Sequence, residues 1–246
     1  MISITLSRAA GINVPTVVRQ RSRWLANRDA IERSAESRQF VDDLLGDLAS
    51  RRFVPSAWGV FIGRSFVRAV KQARKHPSAA VEVTAIHLLA AATGSQRWTL
   101  VSWSLCITHL GLLGERRALG WPNRLTLFRA LLPALAPASR WTSMVALATD
   151  FADGRVARRG EESAFGAYAD PIADGAFWSW YALRWEPNRW LRWVPVTLFA
   201  SSIAAISLVY FMSGRTINYP RPKAVRYASA ATQILLTCRS RRSVSR

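Results

Sequence analysis

The stretch Asp150–Asp174 reads DFADGRVARRGEESAFGAYADPIAD. Four aspartates, Asp150, Asp153, Asp170 and Asp174, stand in it among otherwise apolar segments. Asp150, Asp153, Gly154 and Ala157 are spaced i, i+3, i+4 and i+7, which is one face of a helix. Gly166, Asp170 and Asp174 are spaced i, i+4 and i+8, one face of the next. If the two helices pack antiparallel through these faces, four carboxylates converge. The small residues Gly154, Ala157 and Gly166 would let the backbones approach closely. Carboxylates in an apolar setting need counter-charge. Hard oxygen donors of this kind suit Mg²⁺ or Mn²⁺, and two such ions can clamp a diphosphate. The competing reading pairs these acids with Arg155, Arg158 and Arg159 as solvated loop charges. The phasing of four acids on two faces argues against it.

Working outward, the flanking segments set the fold class. Ala79–Gly94 and Trp98–Gly114 are apolar stretches joined by Ser95–Arg97. Leu125–Ala138 and Trp141–Ala157 form a second pair, followed by Ala164–Leu183. Trp193–Ser213 has no charge over 21 residues and alone meets the ~20-residue spanning criterion. Trp98, Trp121, Trp141, Trp185, Trp190 and Trp193 sit at apolar ends, where an interfacial belt belongs. The expectation is an all-α, polytopic transmembrane helix bundle with an N-terminal cytoplasmic or interfacial amphipathic region.

The chain has 246 residues, 34 Lys+Arg against 15 Asp+Glu, and net charge +19. Half of it is hydrophobic, which excludes a disordered chain, and two cysteines exclude a disulfide scaffold. A balance this basic seeks polyanions. From Pro187 to Arg246 there are ten cations and no acid, beside apolar segments, which fits an anionic membrane surface better than nucleic acid. In residues 22–50, Phe40, Val41, Leu44, Leu45 and Leu48 stand at helical spacing. In residues 56–76, Trp58, Phe61, Ile62, Phe66 and Val70 share one helical face, and Arg64, Arg68, Lys71 and Lys75 the opposite one. That is the pattern of a basic amphipathic helix in a membrane interface.

The pattern D-x2-D-G-x2-A-R, then G-x3-D-x3-D, resembles the signature of the CDP-alcohol phosphotransferases, also called CDP-alcohol phosphatidyltransferases. Asp150, Asp153, Gly154, Ala157, Arg158, Gly166, Asp170 and Asp174 fill it. Upstream, GWPNRLTLFRALLPA resembles the first core helix of that family at Asn123, Leu125, Thr126, Arg129 and Pro133. The resemblance covers roughly residues 121–213. Two features depart from it. Seven residues, rather than eight, separate Arg158 from Gly166, and only Tyr227–Cys238 follows the fourth core helix, so Ala79–Gly114 is expected to close the bundle.

The resemblance implies a transferase of phospholipid biosynthesis. It would move a substituted phosphoryl group from a CDP-alcohol, commonly CDP-diacylglycerol, to a small alcohol acceptor and release CMP. It implies Asp150, Asp153 and Asp170 as ligands of a two-ion site. Asp174 would ligate one ion and act as general base. Asn123, Thr126, Gly154, Arg158 and Ser163 would contact the nucleotide. It also implies a multi-pass protein of the cell membrane, its active site facing the cytoplasm, with homodimers usual in the family. Gly175 stands where the glycerophosphate branch commonly has Lys, which points away from glycerol 3-phosphate as acceptor. The organisation expected is a basic interfacial region over 1–78, an extra hairpin over 79–114, a core over 121–213, and a basic loop and short helix over 214–246. With six crossings, ten cations fall on the cytoplasmic connections and five on the others, as the positive-inside rule asks. A non-catalytic interaction or scaffold protein of the same fold is the alternative, and metal-dependent CMP release separates the two.

Overall fold

The computed structural model describes residues 37, 39–114, 116–156, 163–215 and 223–242, with the side chains of 153–156, 223 and 240–242 left aside. Every regular element among them is helical. Helix α1 covers 39–50, α2 Pro55–Lys75, α3 Pro77–Thr93 and α4 Gln96–Thr108, followed by a 3-10 turn at Leu110–Leu113. Then come α5 (Trp121–Leu135), α6 (Arg140–Val156), α7 (Ala164–Trp185), α8 (Arg189–Ser213) and α9 (Lys223–Arg242). Local chemistry sets several of the boundaries. Proline opens α2 and α3, where its missing N–H costs nothing. Gly120, at φ +77°, makes the turn into α5 that a residue with a Cβ resists. Asn188 caps α8 by accepting from the Trp190 and Leu191 amides, and Gly214 ends that helix in the left-handed region.

Two apolar clusters stack along the bundle. One joins Val83, Ile107, Leu110, Leu113, Leu119, Leu127 and Phe165, from α3, α4, the 3-10 turn, α5, α7 and the segment before α5. The other joins Leu132, Ala146, Phe177, Trp178, Tyr181 and Leu236, from α5, α6, α7 and α9. On α5 the residue between the clusters is Arg129, and on α7 it is Asp170 and Asp174. A charged layer therefore lies between two dry ones. Polar side chains tie the remaining helices to this core. Glu82 of α3 pairs with Arg124 of α5. His87 bridges the Val83 carbonyl and the Ser102 hydroxyl at 2.7 and 3.0 Å, a bundle role as its surroundings suggest.

α8 has 25 residues, so at ~1.5 Å per residue it exceeds the ~30 Å hydrocarbon thickness. Among the described residues it is the one helix long and apolar enough to cross a membrane unaided. Its outward residues Ile203, Ile206, Leu208, Phe211 and Met212 are exposed, as are Leu88, Leu89, Leu100 and Val101 on α3 and α4.

α1 and the turn after it dock on α8. Tyr210 of α8 donates to the Asp42 carbonyl at 3.1 Å, and Phe53 meets Phe211 edge-on. α1 covers part of the basic side of α2: Arg64 pairs with Asp47, and Arg68 reaches Ser37 and lies over the Phe40 ring. The opposite side of α2 leaves Trp58, Ile62 and Phe66 exposed.

Three features differ from what the sequence suggested. The helices carrying Asp150 and Asp170 do not pack extensively on each other; α5 packs on both. Gly166 accordingly makes room for α5 rather than α6, since a Cβ there would lie 2.7 Å from Asn123 Oδ1. The third is α9, which is 20 residues long rather than a short edge helix. It packs on α6 and α8 and touches α7, with Val225 sharing a cavity wall with Asp174 and Arg239 reaching the α7–α8 turn. The bundle is thus closed on one side by α3 and α4 and on the other by α8 and α9. At that turn the buried Glu186 accepts from Arg239 Nε and Nη2 at 3.0 and 3.1 Å, and the Glu186 carbonyl accepts from Arg192. A buried carboxylate in a two-pronged guanidinium grip is geometrically specific, which fixes the far end of α9.

Candidate functional site

α5 organises the site because Asn123, Thr126 and Arg129 recur every third residue and share one face. All three are buried, at 2%, 1% and 0% exposure. Asn123 donates its amide to the Leu119 carbonyl and accepts from Ser163 Oγ at 3.1 Å. Ser163 caps α7, taking the Gly166 amide at 3.0 Å. Thr126 donates to the Pro122 carbonyl at 3.2 Å. The start of α7 is thus pinned to the start of α5 by a chain of hydrogen bonds. Replacement of Gly166 by alanine would drive a methyl group into Asn123 Oδ1. We expect Gly166→Ala to destabilise the chain by ~1–3 kcal/mol by displacing Asn123 and Ser163, the cost of a misplaced buried polar group. An unchanged melting temperature in detergent would show that this junction does not pin α7 to α5.

Deeper along α5, the Arg129 guanidinium stands among three carboxylates. It pairs with Asp170, with Asp174 through Nε at 2.7 Å, and with Asp150 through Nη1 at 3.4 Å. One oxygen from each of Asp150, Asp170 and Asp174 lies within 4.8 Å of the others. Three carboxylates and one guanidinium leave two formal negative charges, which a divalent cation would balance. The donors are all hard oxygens, so the residues fit such an ion. The carboxylate side chains keep 37%, 35% and 18% exposure for Asp150, Asp170 and Asp174, so they are reachable from outside the bundle.

Asp150, Asp170 and Asp174 are therefore brought together as their spacing suggested. Asp153 and Gly154 lie on the last turns of α6, one helical turn beyond Asp150, with side chains that are not described. Arg158, Ala157 and Arg159 lie outside the described residues, as do 1–36 and 216–222. Arg129 is the residue whose place the spacing argument missed. The signal was present: it continues the Asn123–Thr126 register by three, into the middle of an apolar helix.

Residues 119–239 match the family model described as CDP-alcohol phosphatidyltransferase. The chain carries a CDP-alcohol phosphatidyltransferase domain. This domain contains the charged layer, the Asn123–Ser163 junction and nearly all of α9, so it extends well past residue 213. Helices α1–α4 precede it. The comparisons with curated proteins and with solved structures gave no match. CDP-alcohol phosphatidyltransferases act in phospholipid synthesis, are membrane-associated and generally depend on divalent metal.

Proposed function

We propose that this protein transfers a phosphatidyl group from CDP-diacylglycerol to an alcohol and releases CMP. The observation that carries the reading is the convergence of Asp150, Asp170 and Asp174 within the matched domain. The chain's own residues have distinct tasks in it. Asn123, Thr126, Gly154, Arg158 and Ser163 hold the cytidine diphosphate end of the donor. Arg158 offers a forked donor set to a phosphate oxygen. Asp150, Asp153, Asp170 and Asp174 hold Mg²⁺ or Mn²⁺, which when bound neutralises diphosphate charge. Asp174 takes the proton of the acceptor hydroxyl as its oxygen attacks. The acceptor oxygen bonds to the phosphorus that carries the diacylglycerol. The bridging P–O bond breaks, and its electron pair leaves with CMP. Transfer of this type depends mainly on positioning and charge neutralisation, which a rigid layer between two apolar clusters supplies.

In this reading the helices α3–α8 cross the cell membrane, with Asn123 and Ser163 at the cytoplasmic end. α2 lies in the interface on that side with Trp58, Ile62 and Phe66 in the lipid. The test is CMP release by purified protein from CDP-diacylglycerol over a panel of alcohols. We expect release that chelation by EDTA abolishes and that Mg²⁺ or Mn²⁺ restores. Release that persists in EDTA would overturn the metal role, and no release with any alcohol would overturn the activity.

A further inference from the structure

Glu82 stands in α3, a helix outside the matched residues 119–239, and with His87 it is one of two ionisable side chains there. An acid in so apolar a helix is costly unless a partner holds it. Its partners lie at the start of α5. One carboxylate oxygen accepts from Arg124 Nε, and the other from the Leu119 amide at 3.5 Å. Asn123 stands between those two residues. The Leu119 carbonyl takes the Asn123 amide, and Asn123 Oδ1 takes the Ser163 hydroxyl at 3.1 Å. Glu82 therefore grips both sides of the turn that presents Asn123. That turn lacks the usual local device. Its N-cap is Gly120, with no side chain to accept the first helical amides, and no acid stands in the first turn of α5. Glu82 supplies from another helix the negative charge that a helix N-terminus favours. Packing points the same way. Val83, next to Glu82, and Leu119 are both fully buried and share one apolar cluster with Leu127 and Phe165. His76, at the α2–α3 junction, adds a second tether through Nδ1, 3.2 Å from the Arg116 carbonyl. Glu82 is not one of the three carboxylates that converge on Arg129, so its task is separate from the charged layer.

We propose that Glu82 is a positioning residue for the nucleotide end of the donor, so that α3 belongs to the site although it precedes the matched domain. The inference rests on the transferase reading above and adds to it a residue that acts through Asn123. A carboxamide can present either its oxygen or its nitrogen to a neighbour. The Leu119 carbonyl decides which, because it takes the amide and turns the oxygen toward Ser163. Glu82 holds that carbonyl in place by gripping the Leu119 amide and the Arg124 side chain on either side of the turn. Without Glu82 the turn at Gly120 relaxes, and part of the donor's binding energy goes into restoring it.

The test is the dissociation constant of CDP-diacylglycerol for the full-length protein in detergent with Mg²⁺, measured by calorimetry beside the Tm of each variant. Glu82→Ala is expected to raise the constant about tenfold, the scale of one charge-assisted hydrogen bond. Glu82→Gln keeps one acceptor oxygen and is expected to raise it about threefold. That comparison decides if Glu82→Ala does not fold. Trp98→Phe is the control. It removes the bond from Trp98 Nε1 to the Ala130 carbonyl, 2.8 Å long and farther along α5, and should lower the Tm without moving the constant. In an Asn123→Ser background the link is already cut, so Glu82→Ala should add less than twofold. An unchanged constant in the Glu82 variants would overturn the inference. So would an equal rise in Trp98→Phe, which would make the effect one of stability alone, or a full tenfold rise in the Asn123→Ser background. Each of these leaves the transferase reading intact. A wild-type protein that neither binds CDP-diacylglycerol nor releases CMP with any alcohol would remove the transferase reading, and this inference with it.

Discussion

Asp174→Asn is expected to lower kcat for CMP release by about 10³-fold or more, the loss that follows removal of a general base that also binds metal. The asparagine keeps the shape of the side chain, so packing against its surroundings survives. It removes the negative charge 2.7 Å from Arg129 Nε and the lone pair that accepts the alcohol proton. Two measurements separate a chemical from a structural effect. The donor's dissociation constant should stay within a fewfold of wild type, because Asn123, Thr126 and Ser163 lie at the other end of the face. Thermal unfolding in detergent should shift by only a few degrees. Asp174→Glu should recover little, because the longer side chain moves the carboxylate by more than the ~0.5 Å that such chemistry tolerates. If Asp174→Asn kept a tenth of the wild-type kcat, the base would have to be another group.

The sequence makes the site more legible than the helix packing. Asp150, Asp170 and Asp174 converge because a 3.6-residue period is rigid enough to place side chains from spacing alone. What spacing does not carry is which helix lies between them. Reading the two aspartate helices as direct partners assigned Gly166 to the wrong neighbour. α5 sits against both, and its Arg129 provides a counter-charge from within the bundle. The cue was weak because an arginine inside an apolar helix has several explanations until its neighbours are known.

α9 shows the opposite problem. Its apolar stretch, Tyr227–Cys238, is short and the tail beyond it is basic, which the positive-inside rule weighs against a helix running to the far end of the bundle. Glu186 removes much of that argument. It is 2% exposed and grips Arg239, so one of the late cations has a buried partner. A partner 53 residues away is invisible to a rule that counts charges loop by loop.

Arg129→Met should have its largest effect when metal is absent. Arg129 is fully buried and holds three carboxylates in one small volume. Removing a buried partner leaves its counter-charges uncompensated, typically at ~3–5 kcal/mol. Here the carboxylates keep 18–37% exposure, so water offsets part of the loss and the low end, about 3 kcal/mol, applies. For a chain of this size that corresponds to a fall in Tm of roughly 6–12 °C. Methionine fills much of the arginine volume, so the charge, rather than a cavity, dominates the change. The same argument fixes the metal dependence. With Arg129 gone, the cluster's formal charge rises from two to three negative, and a divalent ion relieves more repulsion when it binds. Mg²⁺ should therefore raise the Tm of Arg129→Met by more than it raises that of wild type, while Arg129→Lys should lie between them. The measurement is thermal unfolding in detergent with EDTA and then with Mg²⁺. Equal metal-induced shifts in wild type and Arg129→Met would mean that the guanidinium and the ion do not share the three carboxylates. An unchanged Tm in EDTA would mean that Arg129 is not the counter-charge that holds this layer together.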